Sequence, residues 1–139
     1  MKTLRSVLFR LGYFPSWLLT VSLVGVLWWL DWQFHMIGTI PQYDKLLHFG
    51  AGFACGIFGV RLLSYAPFNW IFAFARFERA LLISAIAWAL IIGGAWEVWE
   101  YLTPWTRNYG PWDSWDTFFD LVFDCLGATL AAGAYQKGS

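Results

Sequence analysis

Acidic and imidazole side chains recur at helical spacing at three points of this 139-residue sequence. Residues three or four apart lie on the same face of a helix, so each group would present its polar atoms to one side. Carboxylates and imidazoles gathered at one place are the donors used by metal sites and by general acid–base chemistry. The three groups are Asp44 with His48, Glu97 with Glu100, and Asp116 with Asp120 and Asp124.

The composition indicates that these groups lie in a membrane protein. Hydrophobic residues make up 59% of the chain and charged residues 13%, whereas a soluble domain carries roughly 25% charged residues. Aromatic residues reach 22%, with eleven Trp, a residue that favours the membrane–water boundary. The formal net charge is zero, which argues against a nucleic-acid partner because such a partner requires a basic surface.

Four apolar segments approach the ~20 residues that a helix needs to cross a bilayer. We therefore predict an all-α integral membrane bundle of four transmembrane helices, forming a single domain over residues 1–139. Residues 67–79 are predicted to be an interfacial segment. The helices are expected at about 14–34, 43–65, 80–102 and 115–135.

The distribution of Lys and Arg predicts the orientation of the bundle. With four spans both termini lie on the same side, and that side receives seven of the nine basic residues. Because basic residues favour the cytoplasmic side, the termini are expected in the cytoplasm and the 31–44 and 101–115 loops outside. The two basic residues on the outer side are Lys45 and Arg107.

Eight of the nine acids fall on the predicted outer side, and six or seven of them converge in the outer half of the bundle. At 1.5 Å per residue they form two stacked layers and one deep acid. Intramembrane ionisable residues cost roughly 2.5–3.5 kcal/mol each on insertion scales. So many carboxylates must share protons, pair with cations or bind a metal. The layers are Asp44, Glu100 and Asp116, then His48, Glu97 and Asp120, then Asp124.

A divalent metal is the compact way to balance this charge. An oxygen-rich set with one or two imidazoles suits Mg²⁺, Mn²⁺, Ca²⁺ or Fe better than Zn²⁺. The plainer interpretation is that some of these acids cap helices, which fits Asp44 and Asp116. Asp31 and Asp113 are expected to be loop acids, and His35 an interfacial residue.

The second predicted helix is rich in glycine at small-xxx-small spacing, as in Gly52 with Gly56 and Cys55 with Gly59. Such spacing lets helices approach closely in lipid, which predicts a central position for this helix. The same surface would also permit a homodimer.

Three short motifs resemble those of a known family. The segment Tyr43 to Phe49 resembles the Asp-Lys-x-x-His-Phe motif of the VanZ-like membrane proteins. Glu97 to Glu100 resembles the Glu-x-x-Gln of that family with Glu in place of Gln. Asp120 to Ala128 resembles its Asp-x-x-x-Asn-x-x-Gly with Asp124 in place of Asn. These departures, together with the segment Trp115 to Thr117, resemble the YjdF-like group of bacterial inner-membrane proteins more closely. The resemblance implies a multi-pass protein of the bacterial cytoplasmic membrane.

The lead hypothesis is a metal-dependent site at the outer face that acts on, or binds, an envelope lipid or lipid-linked headgroup. Glu97 and Asp120 are the candidate catalytic carboxylates, and an enzyme of this kind would be a hydrolase or transferase. Asp44, Lys45 and Arg107 are expected to bind the substrate at the rim. The alternatives are a non-catalytic protein that binds a cation or an antibiotic, as a sensor or resistance factor, and a small structural subunit. The candidate metal ligands are His48, Glu97, Glu100, Asp116, Asp120 and Asp124.

Overall fold

The fold was described from a computed structural model, which covers residues 14–40, 42–64, 77–103 and 114–136. Within these ranges the chain is almost entirely helical and contains no strand, so the predicted all-α class is confirmed. Of the interfacial segment predicted at 67–79, residues 67–76 lie outside the described residues. Residues 77–79 belong to a helix. The helices are α1 (Phe14–Phe34), α2 (Met36–Thr39), α3 (Tyr43–Ser64), α4 (Phe77–Leu102) and α5 (Ser114–Gln136).

Four of these helices are long and apolar enough to cross a membrane. They are α1, α3, α4 and α5, while α2 is a single turn between the first two. Many large apolar side chains of these helices are exposed on the surface of the bundle, as expected for surfaces that face lipid. The prediction of a four-helix transmembrane bundle is confirmed at this level.

The centre of the bundle is α3, which packs against α5, α4 and α1. The shared core consists largely of alanines, among them Ala85, Ala128 and Ala132, which are completely buried. Small side chains let helix backbones approach closely where no hydrophobic effect drives association. Among the long helices of the described residues, α1 packs mainly on α3, so it is the peripheral member of the bundle.

The glycines of α3 allow this close packing. A methyl group added to Gly52 would overlap the backbone carbonyl of Asp124, and one added to Gly56 would meet Cα of Ala128 at 2.7 Å. The third glycine, Gly59, faces α4 and would bring a methyl group to 2.7 Å from the carbonyl oxygen of Ser84. These faces are used within the chain, and the predicted homodimer through them stays a prediction.

Helix α1 is tied to α3 through its C-terminal end. The Tyr43 hydroxyl donates a hydrogen bond of 2.7 Å to the backbone carbonyl of Leu27. Asp31, expected to be a loop acid, is instead a buried residue of α1 that accepts a 2.7 Å hydrogen bond from the backbone N–H of Ile37. The expectation was wrong because the chain folds back through His35, at φ 52°, and brings that N–H to the carboxylate.

Candidate functional site

The predicted polar residues meet where α3 and α5 begin and α4 ends. Side chains from all three helices touch there, as shown by contacts of Lys45 with Asp116 and of Thr117 with Glu97. Five polar residues of this region are buried, although each is ionisable. They are Lys45, His48, Glu97, Asp120 and Asp124.

Lys45 lies among three carboxylates. Its ammonium nitrogen is 2.5 Å from Asp116 Oδ1, 2.6 Å from Asp120 Oδ1 and 3.2 Å from Asp44 Oδ2. An ammonium group has three hydrogens to donate, and each has a carboxylate partner here. The contacts are those of an internal counter-ion, and the predicted role of Lys45 in binding substrate stays a prediction.

One imidazole nitrogen of His48 is held by the deepest acid. Nδ1 lies 3.3 Å from Oδ2 of Asp124, whose side chain is 2% exposed. If Nδ1 carries the proton, it donates to Asp124 and leaves Nε2 with a free lone pair. A histidine that binds a metal almost always donates its other ring N–H to a carboxylate, a backbone carbonyl or water, and Asp124 would fill that role here.

The other nitrogen, Nε2, faces a ring of carboxylate oxygens. It lies 3.7 Å from Glu97 Oε1, 3.8 Å from Asp120 Oδ1 and 3.9 Å from Asp44 Oδ1. These distances exceed the hydrogen-bond range of about 2.7–3.2 Å. Donor atoms that share an ion at 2.0–2.6 Å from each lie roughly 3–4 Å apart, which matches this spacing. Among the described residues, Asp44, His48 and Asp120 offer ligand atoms that all lie within 4.8 Å of one another.

Glu97 presents one oxygen to His48 and uses the other to fix its position. Oε2 accepts a hydrogen bond of 2.7 Å from the Thr117 hydroxyl. Oε1 is buried and has no hydrogen-bond partner among the described residues. A buried carboxylate oxygen without a donor is costly, so this atom marks a position for a proton, a water molecule or a cation.

The formal charges of the cluster do not balance. Among the described residues, five carboxylates lie within 4 Å of Lys45 or His48, and these two groups supply at most two positive charges. Further cations or protons are needed to compensate the excess in a low-dielectric environment. The carboxylates are Asp44, Glu97, Asp116, Asp120 and Asp124.

Glu100 lies one turn closer to the end of α4 than Glu97. Its Oε1 accepts a hydrogen bond of 2.9 Å from the Trp96 indole N–H. It is not part of the compact group formed by Asp44, His48 and Asp120. Its predicted role as a metal ligand therefore stays a prediction, as do those of Asp116 and Asp124.

The structure also shows site residues that were not predicted. Thr117 fixes the Glu97 carboxylate, and the available signal was its position on the face of α5 that carries Asp120 and Asp124. Trp96 is four residues before Glu100 and therefore on the same face of α4. The predicted rim residue Arg107 and the predicted loop acid Asp113 lie outside the described residues.

Comparison with known proteins identifies the chain at the level of a family. No curated protein and no solved structure matches it. One family model, described as "Predicted membrane protein (DUF2238)", matches residues 13–137. That description does not carry the VanZ-like or YjdF-like name, so the finer resemblance stays a prediction. Because the match spans nearly the whole chain, including all four long helices and the cluster around His48, the protein belongs to this family of predicted membrane proteins.

Proposed function

We propose that the protein binds a divalent cation between α3, α4 and α5 and uses it to bind or act on the headgroup of an envelope lipid. The observation that carries the proposal is the arrangement around His48. One imidazole nitrogen is held by Asp124 at 3.3 Å, and the other faces three carboxylate oxygens at 3.7–3.9 Å. Both the orienting carboxylate and the spacing of the donors are typical of a metal centre.

The residues divide into ligands and a candidate base. His48, Asp44 and Asp120 form the compact donor group, which is rich in oxygen and suits Mg²⁺, Mn²⁺, Ca²⁺ or Fe²⁺ better than Zn²⁺. A cation bound there would polarise a phosphate oxygen of a headgroup. Glu97 Oε1, buried and without a donor, is placed to accept a proton from an attacking water or hydroxyl group.

The proposed location is the outer face of a bacterial cytoplasmic membrane. Its support is the sequence, in which seven basic residues fall on the side of the termini and two on the side of the cluster. Lipid-linked envelope precursors and membrane lipids are the molecules whose headgroups reach that depth.

Elemental analysis of the purified protein tests the cation site directly. The chelator-washed protein is reloaded separately with Mg²⁺, Mn²⁺, Ca²⁺, Fe²⁺ and Zn²⁺, beside His48→Ala and Asp120→Asn. His35→Ala is the matched control because His35 is an exposed imidazole near the same end of the bundle. We expect about one equivalent of an oxygen-preferring metal in the wild type and the control, and none in the two site variants. Absence of metal from the folded wild type, or its retention in both folded site variants, would overturn the proposal.

A second candidate function is non-catalytic binding of a cation or a cationic ligand, as in a sensor or a resistance factor. The contacts of Lys45 favour it, because its ammonium already occupies the part of the cluster between Asp116 and Asp120. A cationic ligand would replace or join this internal counter-ion. Incubation of metal-loaded protein with envelope lipids in nanodiscs separates the two functions. Headgroup turnover that disappears in Glu97→Gln supports the enzyme, and stable metal binding without turnover supports the second candidate.

A further inference from the structure

Four tryptophans gather beside the cluster, two from α1 and two from α4. The rings of Trp28 and Trp32 are 6.1 Å apart, and those of Trp96 and Trp99 are 4.9 Å apart. The two pairs meet where Trp28 and Trp96 lie edge to face, with ring centroids 6.4 Å apart and planes at 87°. This contact joins the indoles of the two helices into one aromatic group, which we call the recess.

The indoles of this recess lie largely on the surface of the bundle. Both α1 and α4 pack on α3, and they meet each other at the contact of Trp28 with Trp96. Trp28, Trp32 and Trp99 keep 43%, 57% and 39% of their surface exposed. A methyl group added to Gly25, three residues before Trp28, would meet no atom within 4 Å. Space is therefore available next to the aromatic group for a lipid molecule.

The recess also contains a carboxylate. Glu100 accepts a 2.9 Å hydrogen bond from Trp96, which places its negative charge against the indole at the centre of the group. An interfacial aromatic belt requires no acid. Aromatic faces combined with a carboxylate are the arrangement that recognises ammonium groups, through cation–π attraction and charge.

The two indoles that meet in the recess lie at the same distance from the ends of their helices. Trp28 and Trp96 each lie six residues before the end of their helix, or about 9 Å at 1.5 Å per residue. Glu97, which faces His48, is one turn from Glu100 on the same helix. A headgroup whose ammonium entered the recess would therefore have its phosphate beside the proposed cation site.

We propose that the recess formed by Trp28, Trp32, Trp96, Trp99 and Glu100 binds the ammonium group of a zwitterionic phospholipid. The inference names the class of lipid that the proposed function would use. It rests on that function for the assumption that the site binds a lipid headgroup. An anionic headgroup such as phosphatidylglycerol has no cation to place there and would be repelled by Glu100.

Native mass spectrometry of the full chain tests this selectivity. The protein is released from mixed micelles with equal amounts of phosphatidylethanolamine and phosphatidylglycerol that carry the same acyl chains. The variants are Glu100→Gln and Trp96→Leu, and the matched control is Trp29→Leu, another exposed tryptophan of α1. We expect the wild type and the control to retain phosphatidylethanolamine roughly five- to thirtyfold over phosphatidylglycerol, the range between an exposed and a desolvated cation–π contact. The preference should fall to near unity in both recess variants.

Equal retention of the two lipids by the wild type, or an unchanged preference in folded Glu100→Gln, would overturn the inference. Metal content measured on the same samples separates it from the proposed function. If the protein prefers phosphatidylethanolamine but binds no metal, the recess is supported and the cation site is refuted. If it binds metal but has no lipid preference, the cation site is supported and the recess is refuted.

Discussion

Asp124 and His48 are joined by a 3.3 Å contact between Oδ2 and Nδ1, and this contact decides which nitrogen faces the remaining acids. Asp124 lies nearly three turns into α5 and its side chain is 2% exposed, so little solvent competes for the imidazole. The side chain is held from behind as well, because any methyl group at Gly93 would overlap its carboxylate.

Asp124→Asn should weaken metal binding while leaving the ligand atoms in place. Loss of a carboxylate behind a metal-binding histidine typically lowers affinity about 10–100-fold. Calorimetric titration of the reloaded metal measures the change. Asp31→Asn is the control, because Asp31 is also a buried aspartate but binds the backbone of Ile37. An affinity unchanged in Asp124→Asn would show that His48 needs no orienting acid.

Lys45→Met should destabilise the protein by about 3–5 kcal/mol, the usual cost of removing one partner of a buried ion pair. The lost ammonium leaves Asp120, whose side chain is 4% exposed, without its 2.6 Å partner. Reversible denaturation in detergent measures the free energy of unfolding. Asp116→Asn is the comparison, and we expect a cost below about 1 kcal/mol because that side chain is 61% exposed. Equal effects of the two substitutions would contradict a counter-ion role.

Thr117→Val should free the Glu97 carboxylate from its position. The substitution removes the hydroxyl that donates to Oε2 at 2.7 Å, and an unsatisfied buried acceptor costs about 1–3 kcal/mol. Thr129→Val is matched in shape. Thr129 is exposed, and within the described part of the chain its hydroxyl bonds to the backbone carbonyl of Cys125 in its own helix, so the substitution should change stability by less than about 0.5 kcal/mol. Unfolding measurements on both variants decide between a positioning role and a neutral one for Thr117.

Gly52→Ala should separate α3 from α5. The new methyl group would overlap the Asp124 carbonyl, and overpacking of this kind costs about 1–3 kcal/mol. Because Asp124 would move with its backbone, the variant should also lose metal affinity. Gly25→Ala, which meets open space, should be neutral or slightly stabilising. A Gly52→Ala protein as stable as wild type would show that the two backbones are not in contact.

Helical periodicity was sufficient to predict that acids from three helices gather near His48, while the place of Glu100 in that group stays a prediction. Asp120 and Asp124 share a face of α5, and the depth of His48 and Glu97 follows from counting residues from the helix ends. The shared face and the depth along the helix both follow from the regular geometry of an α-helix, with its rise of 1.5 Å per residue. The observed distances of 3.7 Å and 3.8 Å from Nε2 to Glu97 and Asp120 agree with that layer.

The interaction partners of Lys45 and Asp31 could not be predicted in the same way. Lys45 has a long flexible side chain, and its position among three carboxylates depends on how α5 packs against α3. The burial of Asp31 depends on the reversal of the chain at His35, where the residue type indicates a positive φ only weakly. The placement of Lys45 and the burial of Asp31 both arise from contacts between helices. The sequence predicted the helices themselves but not how they pack.

The long sequence separation between Lys45 and its partners has a consequence for biogenesis. Asp116 and Asp120 follow Lys45 by 71 and 75 residues. At a synthesis rate of about 5–20 residues per second, α3 waits roughly 4–15 s before α5 emerges from the ribosome. During that interval the Lys45 ammonium can pair with Asp44, while its other two carboxylate partners, Asp116 and Asp120, are not yet available. The nascent chain therefore passes through a stage in which its ionic groups are incompletely paired, and insertion of the last helix is the step that completes them.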